Sequence, residues 1–344
     1  MQASEKLRQR TRKTMRERTP DRTDKFIRPF APFIRPLALF SRPFAPYIVA
    51  LAVATACANT TMLPAQKRLQ ASDIDTITLH GHAKQLAYGA DMLQYGELRI
   101  PKGRGRFPVA IVIHGGCYLS TYASVRNSAA LAEALTDAGI ATWNIEYRRY
   151  DNMGGAWPGT FKDVADATDY VRTLARTELL DTSRVVAIGH SAGGQLALWL
   201  PSRSRLARGT PLFVANPLRI TGVVALGPIT DMQEYQTRER DICGNPAIET
   251  VLGGFPAAVP DRVKMVSPIL RVPLNVPTVL IAGANDGIAP RKALDAYATA
   301  ARAKGDSVRI ITTAGEGHFD AIAPGRAAGK AAIAAVKALV GLPK

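Results

Sequence analysis

From about residue 74 onward, short β-rich apolar runs alternate with helical ones. Val109–His114 (Val-Ala-Ile-Val-Ile-His) is continuously apolar, the pattern of a strand covered on both faces. Comparable runs occur at Ala141–Tyr147, Arg184–Gly189, Ile220–Leu226 and Thr278–Ala282, with a last one at Val308–Thr312. Asp75–Leu79 and Tyr95–Ile100 alternate instead and are modest in length, so they read as edge strands. Helical spacing marks Ser128–Ala138, Phe161–Thr177, Ala192–Leu200, Arg291–Ala303 and Arg326–Val340. In the first of these, Leu131, Ala134 and Leu135 share a face and Gly139 supplies the stop. Strands alternating with helices of about ten or more residues imply parallel pairing and right-handed crossovers. The expected fold class is therefore α/β, a mostly parallel sheet of about eight strands with helices on both faces. Asp231–Pro268, with Gly253-Gly254 and several prolines, breaks the alternation. It reads as an insertion over the C-terminal edge of the sheet, where such folds bind ligands, and is a candidate lid.

The first 65 residues follow a different pattern. Arg28-Pro29-Phe30-Ala31 repeats with a period of seven as Arg35-Pro36-Leu37-Ala38 and Arg42-Pro43-Phe44-Ala45. A proline in each repeat removes a backbone donor and clashes with the preceding turn, so no continuous coiled-coil helix can run through. The apolar run Tyr47–Ala56 follows and ends in Ala54-Thr55-Ala56-Cys57. A basic flank, a short apolar core and small residues describe an export signal. The cysteine directly after them resembles a bacterial lipobox, which implies acylation of Cys57 and a membrane-anchored or periplasmic protein. One alternative is a leader that is no signal, which leaves the protein cytoplasmic; a separate one is a true start downstream of Met1, so that much of residues 1–36 is never made. The chain is thus expected to divide into a basic leader over residues 1–57, a linker over 58–73 and an α/β domain over 74–344 that contains the 231–268 insertion.

Charge changes the picture only once it is mapped. The net charge is +16, but residues 1–45 carry 12 Lys/Arg against 4 Asp/Glu, half of the excess in an eighth of the chain. That distribution favours a targeting segment over a nucleic-acid surface, and no nucleic-acid partner is expected. A hydrophobic fraction of 47% suffices for a sizeable core. Three cysteines, Cys57, Cys117 and Cys243, are too few for a disulfide framework and lack metal-ligand spacing.

The chemistry-bearing signal is Gly189-His190-Ser191-Ala192-Gly193, placed after a predicted strand and before a predicted helix. A serine on that tight turn projects its hydroxyl above the sheet, and small neighbours let the turn close. Serine needs a base, and His318 in Gly315-Glu316-Gly317-His318-Phe319 follows the last strand at the same sheet edge. Asp286, in Gly283-Ala284-Asn285-Asp286-Gly287, ends the penultimate strand and completes the order Ser, Asp, His. Asp320 and Glu316 are rival acids that read as solvated loop charges, too close in sequence to reach back to the ring. His114-Gly115-Gly116-Cys117 after the first parallel strand can present backbone amides to the point that Ala192 faces. The expected oxyanion donors are Gly116, Cys117 and Ala192. His114 reads as a scaffold residue bonded to backbone.

With those elements placed, the chain from about Leu86 to Leu339 resembles the α/β-hydrolase superfamily. It is most similar to bacterial esterases of the hormone-sensitive-lipase and feruloyl/acetyl-xylan-esterase kinds, and to kynurenine formamidases. The resemblance rests on His114-Gly115-Gly116-Cys117-Tyr118, Asn144-Ile145-Glu146-Tyr147-Arg148-Arg149, Trp157-Pro158-Gly159, Gly189–Gly194, Asp286 and His318. Cys117 stands where lipase-like relatives often carry a third glycine, and Tyr118 where formamidase-like ones favour Trp. The resemblance implies a carboxylesterase that acts on a small-molecule ester through an acyl-enzyme, with no metal or organic cofactor. An amide hydrolase is the alternative within the class, and a catalytically silent binding protein the alternative outside it.

Overall fold

The computed structural model describes residues 67–343. Eight strands form one sheet in the order β1-β2-β4-β3-β5-β6-β7-β8. They are β1 Lys84–Ala87, β2 Tyr95–Arg99, β3 Phe107–Ile113, β4 Ala141–Ile145, β5 Leu180–His190, β6 Gly222–Leu226, β7 Thr278–Gly283 and β8 Val308–Thr313. β1 and β2 are antiparallel to their neighbours, and every pairing from β4 through β8 is parallel. The α/β expectation therefore holds, with parallel strands in the centre and antiparallel ones at one edge.

The continuous apolar run at β3 is explained by the two halves of the core. Val109, Ile111 and Ile113 join one buried cluster, while Ala110 and Val112 join the other. Each face is then sealed by its own helices. The first face receives α3 (Ala156–Leu174), α4 (Ala192–Trp199) and α9 (Arg291–Arg302). The second receives α1 (Ala71–Asp75), α2 (Val125–Asp137) and α10 (Ala327–Leu339). Each fully buried Val, Ile or Leu contributes about 1.5–3 kcal/mol relative to exposure, so a strand apolar on both faces serves both layers at once.

Four readings from sequence change. Tyr95–Ile100, expected at the edge, supplies β2, which lies between β1 and β4. Asp75–Leu79 is not an edge strand. Residues 71–75 form α1, Ile74 is buried, and Arg126 Nη2 donates to the carbonyls of Asp75 and Ile77, each at 2.8 Å. With those carbonyls occupied, the segment lies beside α2 rather than in the sheet, and the true edge strand is β1. The helix expected from Ser128 starts earlier, at Val125, because the Ser124 hydroxyl accepts the Arg126 amide and caps it. The insertion is four short helices, α5 (Met232–Gln236), α6 (Glu239–Cys243), α7 (Ala247–Leu252) and α8 (Pro260–Val266). Met232, Tyr235, Ile248, Val251 and Val266 are buried in the first core cluster. Gln195 Nε2 and Trp199 Nε1 of α4 donate to the carbonyls of Val266 and Met265, so the segment packs as part of the domain.

The leader and Cys57 lie outside the described residues. Among those described, no helix is long and apolar enough to cross a membrane.

Candidate active site

β5 runs straight into α4 through Ser191, whose backbone sits at φ 55° and ψ −120°. Such a conformation is strained for a residue with a Cβ and persists only where the surroundings impose it. Here the Ser191 amide donates to the Leu226 carbonyl at 2.8 Å, and its carbonyl accepts the Gln195 amide. The glycine two residues on is sterically required. A Cβ at Gly193 would lie 2.2 Å from the Ile113 carbonyl oxygen and 2.3 Å from that of His114. The elbow therefore packs directly on the end of β3.

The loop after β8 brings His318 to the same sheet edge. His318 Nδ1 donates to Asp286 Oδ2 at 2.9 Å, and Asp286 Oδ1 accepts the amides of Ile288 and Ala289. Burial alone would raise the Asp286 pKa. The charge and hydrogen bond of His318 and the Ala289 amide outweigh it, so the carboxyl is held below its ordinary value. With Nδ1 engaged, His318 Nε2 has no described partner. Ser191 and His318, with Gly116 and Cys117, line one cavity of about 390 Å³, whose apolar wall includes Ile242, Ile288 and Phe319. Ser191 and His318 make no hydrogen bond to one another; catalytic contacts are often long before substrate binds. Wider cavities of about 500 and 530 Å³ lie elsewhere, and neither is lined by a histidine. The amides of Gly116, Cys117 and Ala192 donate to no described residue; Ala192 opens α4, where amides lack intrahelical acceptors. Among the described residues, no cluster of His, Cys, Asp or Glu is arranged to hold a metal ion.

Asp320 and Glu316 are not solvated charges; both are buried. Glu316 accepts the amides of Ala327 and Ala328 at 2.7 and 2.8 Å, capping α10, while Asp320 Oδ2 accepts the Gly317 amide at 2.9 Å. Together they clamp the loop on both sides of His318, a task that depends on α10 folding back. His114 is bonded to backbone through Nδ1 and the Gly115 carbonyl, and additionally to Glu146 through Nε2 at 2.9 Å. Arg149 closes that pair from the other side.

Three features were missed from sequence. Gly227, at φ 49°, has no room for a side chain, since a Cβ would lie 2.8 Å from both Asp286 Oδ2 and His318 Nδ1. Its only linear signal is a glycine directly after a strand. The His190 ring packs tilted at 45° against that of His318, centroids 4.4 Å apart, and donates through Nε2 to the His318 carbonyl at 3.1 Å. Burial, then the neighbouring His318, pushes its pKa down to about 3. A neutral ring there adds no repulsion to a charged His318. Finally, Cys117 is disulfide-bonded to Cys243, 126 residues away, against the expectation that three cysteines are too few for a disulfide framework. No count of three cysteines signals this pairing; the insertion folding over the sheet edge creates it.

A mostly parallel sheet with a serine elbow and an Asp–His pair at its C-terminal edge defines an α/β-hydrolase. The chain belongs to the BD-FAE family, whose model matches residues 98–298. Solved structures share the fold at low identity. A truncated carbohydrate esterase from gut microbiota is 22% identical, covers 75% of this chain and 95% of its own, and superposes with a TM-score of 0.61. The thermophilic esterase Est2 of the planctomycete Thermogutta terrifontis is 19% identical over 75% of this chain and 93% of its own, at 0.60. An acetyl ester-xyloside bifunctional hydrolase from Caldicellulosiruptor lactoaceticus is 19% identical over 75% and 95%, also at 0.60. Among curated proteins, the non-reducing polyketide synthase ausA of Aspergillus calidoustus is 28% identical over 237 residues, 61% of this chain and 9% of the synthase. The synthase mapC′ of Penicillium brevicompactum is 33% identical over 129 residues, 35% of this chain and 6% of the synthase. The chain thus spans less than a tenth of the length of either.

Proposed function

We propose that this protein is a serine carboxylesterase working through an acyl-enzyme. The observation that carries the reading is the Asp286–His318 pair, with Nδ1 engaged and Nε2 left to the cavity that Ser191 also lines. In this reading Ser191 attacks an ester carbonyl while His318 Nε2 accepts its proton. Asp286 fixes the tautomer and stabilises the imidazolium. The amides of Gly116, Cys117 and Ala192 receive the oxyanion, which is where preorganised donors contribute most. His318 then protonates the leaving alcohol, and water repeats the cycle to release the acid. Every group required is a side chain or amide of this chain, so no cofactor enters the scheme. The family and the esterase names of the structural neighbours support ester over amide as the bond cleaved.

Export is part of the proposal. A disulfide within the domain suits an oxidising compartment, and with Cys117 and Cys243 paired, Cys57 is the remaining cysteine, the residue proposed to carry the lipid.

The deciding test is turnover of p-nitrophenyl acetate, butyrate and octanoate by the full chain beside Ser191→Ala. Wild-type hydrolysis and a loss of about 10⁴-fold or more in the variant are expected. Equal turnover by Ser191→Ala would end the serine mechanism. Inactivity on all three esters, together with resistance to a fluorophosphonate, would favour a binding role.

A further inference from the structure

We infer that the Cys117–Cys243 disulfide is a positioning element of the oxyanion site, so that full turnover requires the oxidised enzyme. The inference rests on the esterase reading and adds a role for the insertion. Three consecutive residues of the loop after β3 are left-handed: Gly116 at φ 96°, Cys117 at 51° and Tyr118 at 55°. Side chains with a Cβ disfavour that region, and two in succession persist only where contacts on both sides hold them. One side is held by the domain. Tyr118 is fully buried, its hydroxyl donates to Gln195 Oε1 at 2.8 Å, and its carbonyl accepts the Tyr150 amide at 3.0 Å.

The other side is held by the insertion. Cys243 ends α6, and its carbonyl accepts Tyr122 Oη at 2.8 Å and Asn245 Nδ2 at 2.7 Å. The disulfide therefore links two anchored bodies. One carries the Cys117 amide, which donates to no described residue, and the other carries Ile242 into the cavity wall. Cys117 itself is only partly buried and lines the cavity, so a small reductant can reach the bond. Reduction breaks the S–S bond, adds two electrons and two protons and leaves two thiols. A phosphine supplies the electrons and ends as the phosphine oxide, with oxygen from water. The released loop is then free to leave its left-handed conformation and turn the amide away.

An oxyanion donor acts in the transition state and not on bound ester, so its misplacement lowers kcat and spares KM. The experiment uses full-chain protein purified without reductant, its disulfide established by mass after alkylation. We would measure kcat and KM on p-nitrophenyl acetate before and after tris(2-carboxyethyl)phosphine, with melting curves on the same samples. Cys243→Ser would be measured in parallel. The expected result is a kcat about tenfold or more lower, bounded by the ~10²–10³ of a whole lost donor, with KM within about twofold. Cys243→Ser should match the reduced wild type and be insensitive to phosphine. If that variant does not fold, reduction of the wild type below its melting temperature decides alone.

An unchanged kcat in verified reduced, folded enzyme would overturn the inference and leave the disulfide a stabilising cross-link. A raised KM at constant kcat would overturn it too, by assigning the bond to substrate fit. So would alkylation of both cysteines in protein never exposed to reductant. These failures differ from failure of the esterase reading, which shows instead as turnover that survives Ser191→Ala.

Discussion

Two histidine–carboxylate pairs sit at the same sheet edge, each with a 2.9 Å contact, and they serve opposite ends. In the first, His114 is wholly buried and both ring nitrogens are taken, by the Gly115 carbonyl and by Glu146. Glu146 also meets Arg149 and accepts the amides of Val125 and Tyr147. In the second, His318 has one nitrogen on Asp286 and the other without a described partner in the cavity with Ser191. The difference teaches that a His–carboxylate contact alone does not make a base. The ring must keep one nitrogen free, on a surface that substrate can reach. The saturated pair instead holds the end of β3. Tyr147 stacks on His114 and donates to its carbonyl, the same carbonyl against which Gly193 packs.

The comparison predicts a separation of activity from stability. Asp286→Asn should lower kcat on p-nitrophenyl acetate by about 10⁴-fold, because an amide at that position leaves His318 in the wrong tautomer. A loss below about tenfold in a folded variant would remove Asp286 from the role proposed for it. Glu146→Gln should do the reverse. Arg149 would keep its burial and lose its counter-charge, at about 3–5 kcal/mol, or about 6–20 °C in melting temperature for a domain of this size. Its kcat at a temperature where the variant is folded should stay within about tenfold of wild type. Equal loss of rate in the two variants would erase the distinction between the pairs.

The smallest effect concerns His190, which stands between the two roles, buried like His114 yet packed against the His318 ring. Its pKa lies near 3 when folded, against an ordinary 6.5. Between these values the unfolded chain binds a proton that the folded one does not, so stability falls as pH drops from about 6.5 toward 3. One such group sets a slope of at most about 1.4 kcal/mol per pH unit. Urea unfolding of His190→Asn across pH 7 to 5 should be shallower in pH by up to that slope. An identical pH dependence in the variant would mean that the ring is already charged. Below pH 4.5 Glu146 adds to the same acid loss. Burial opposes its charge, but His114, Arg149 and the Val125 amide prevail and hold its pKa near 2. Its stabilisation is thus present above 4.5 and lost on the way down to about 2.

Much of this molecule is local and therefore legible in one dimension. The two-faced strands announce themselves because burial on both sides leaves no polar positions, as at Val109–Ile113. The elbow is contiguous, and its small residues are dictated by a turn only five residues long. The order of serine, acid and histidine follows from where each strand ends in a parallel sheet, which is how Asp286 and His318 could be paired across 32 residues. The misread pieces have another character. Asp75–Leu79 alternates like a strand, but its carbonyls go to Arg126, far along the chain.

By itself, then, the sequence determined the layered fold and the candidate residues standing at its C-terminal edge, because periodicity and turn chemistry are interactions between near neighbours. Only the tertiary structure decided which histidine keeps a nitrogen free, that Glu316 and Asp320 are clamps, that Gly227 must lack a side chain, and that Cys117 joins Cys243. Apart from the local bond of Asp320 to the Gly317 amide, each of those depends on atoms well separated in the chain arriving within about 3 Å of one another. Hydrogen bonds, steric limits and covalent bonds act only at that range, and no linear pattern records which distant segments will meet.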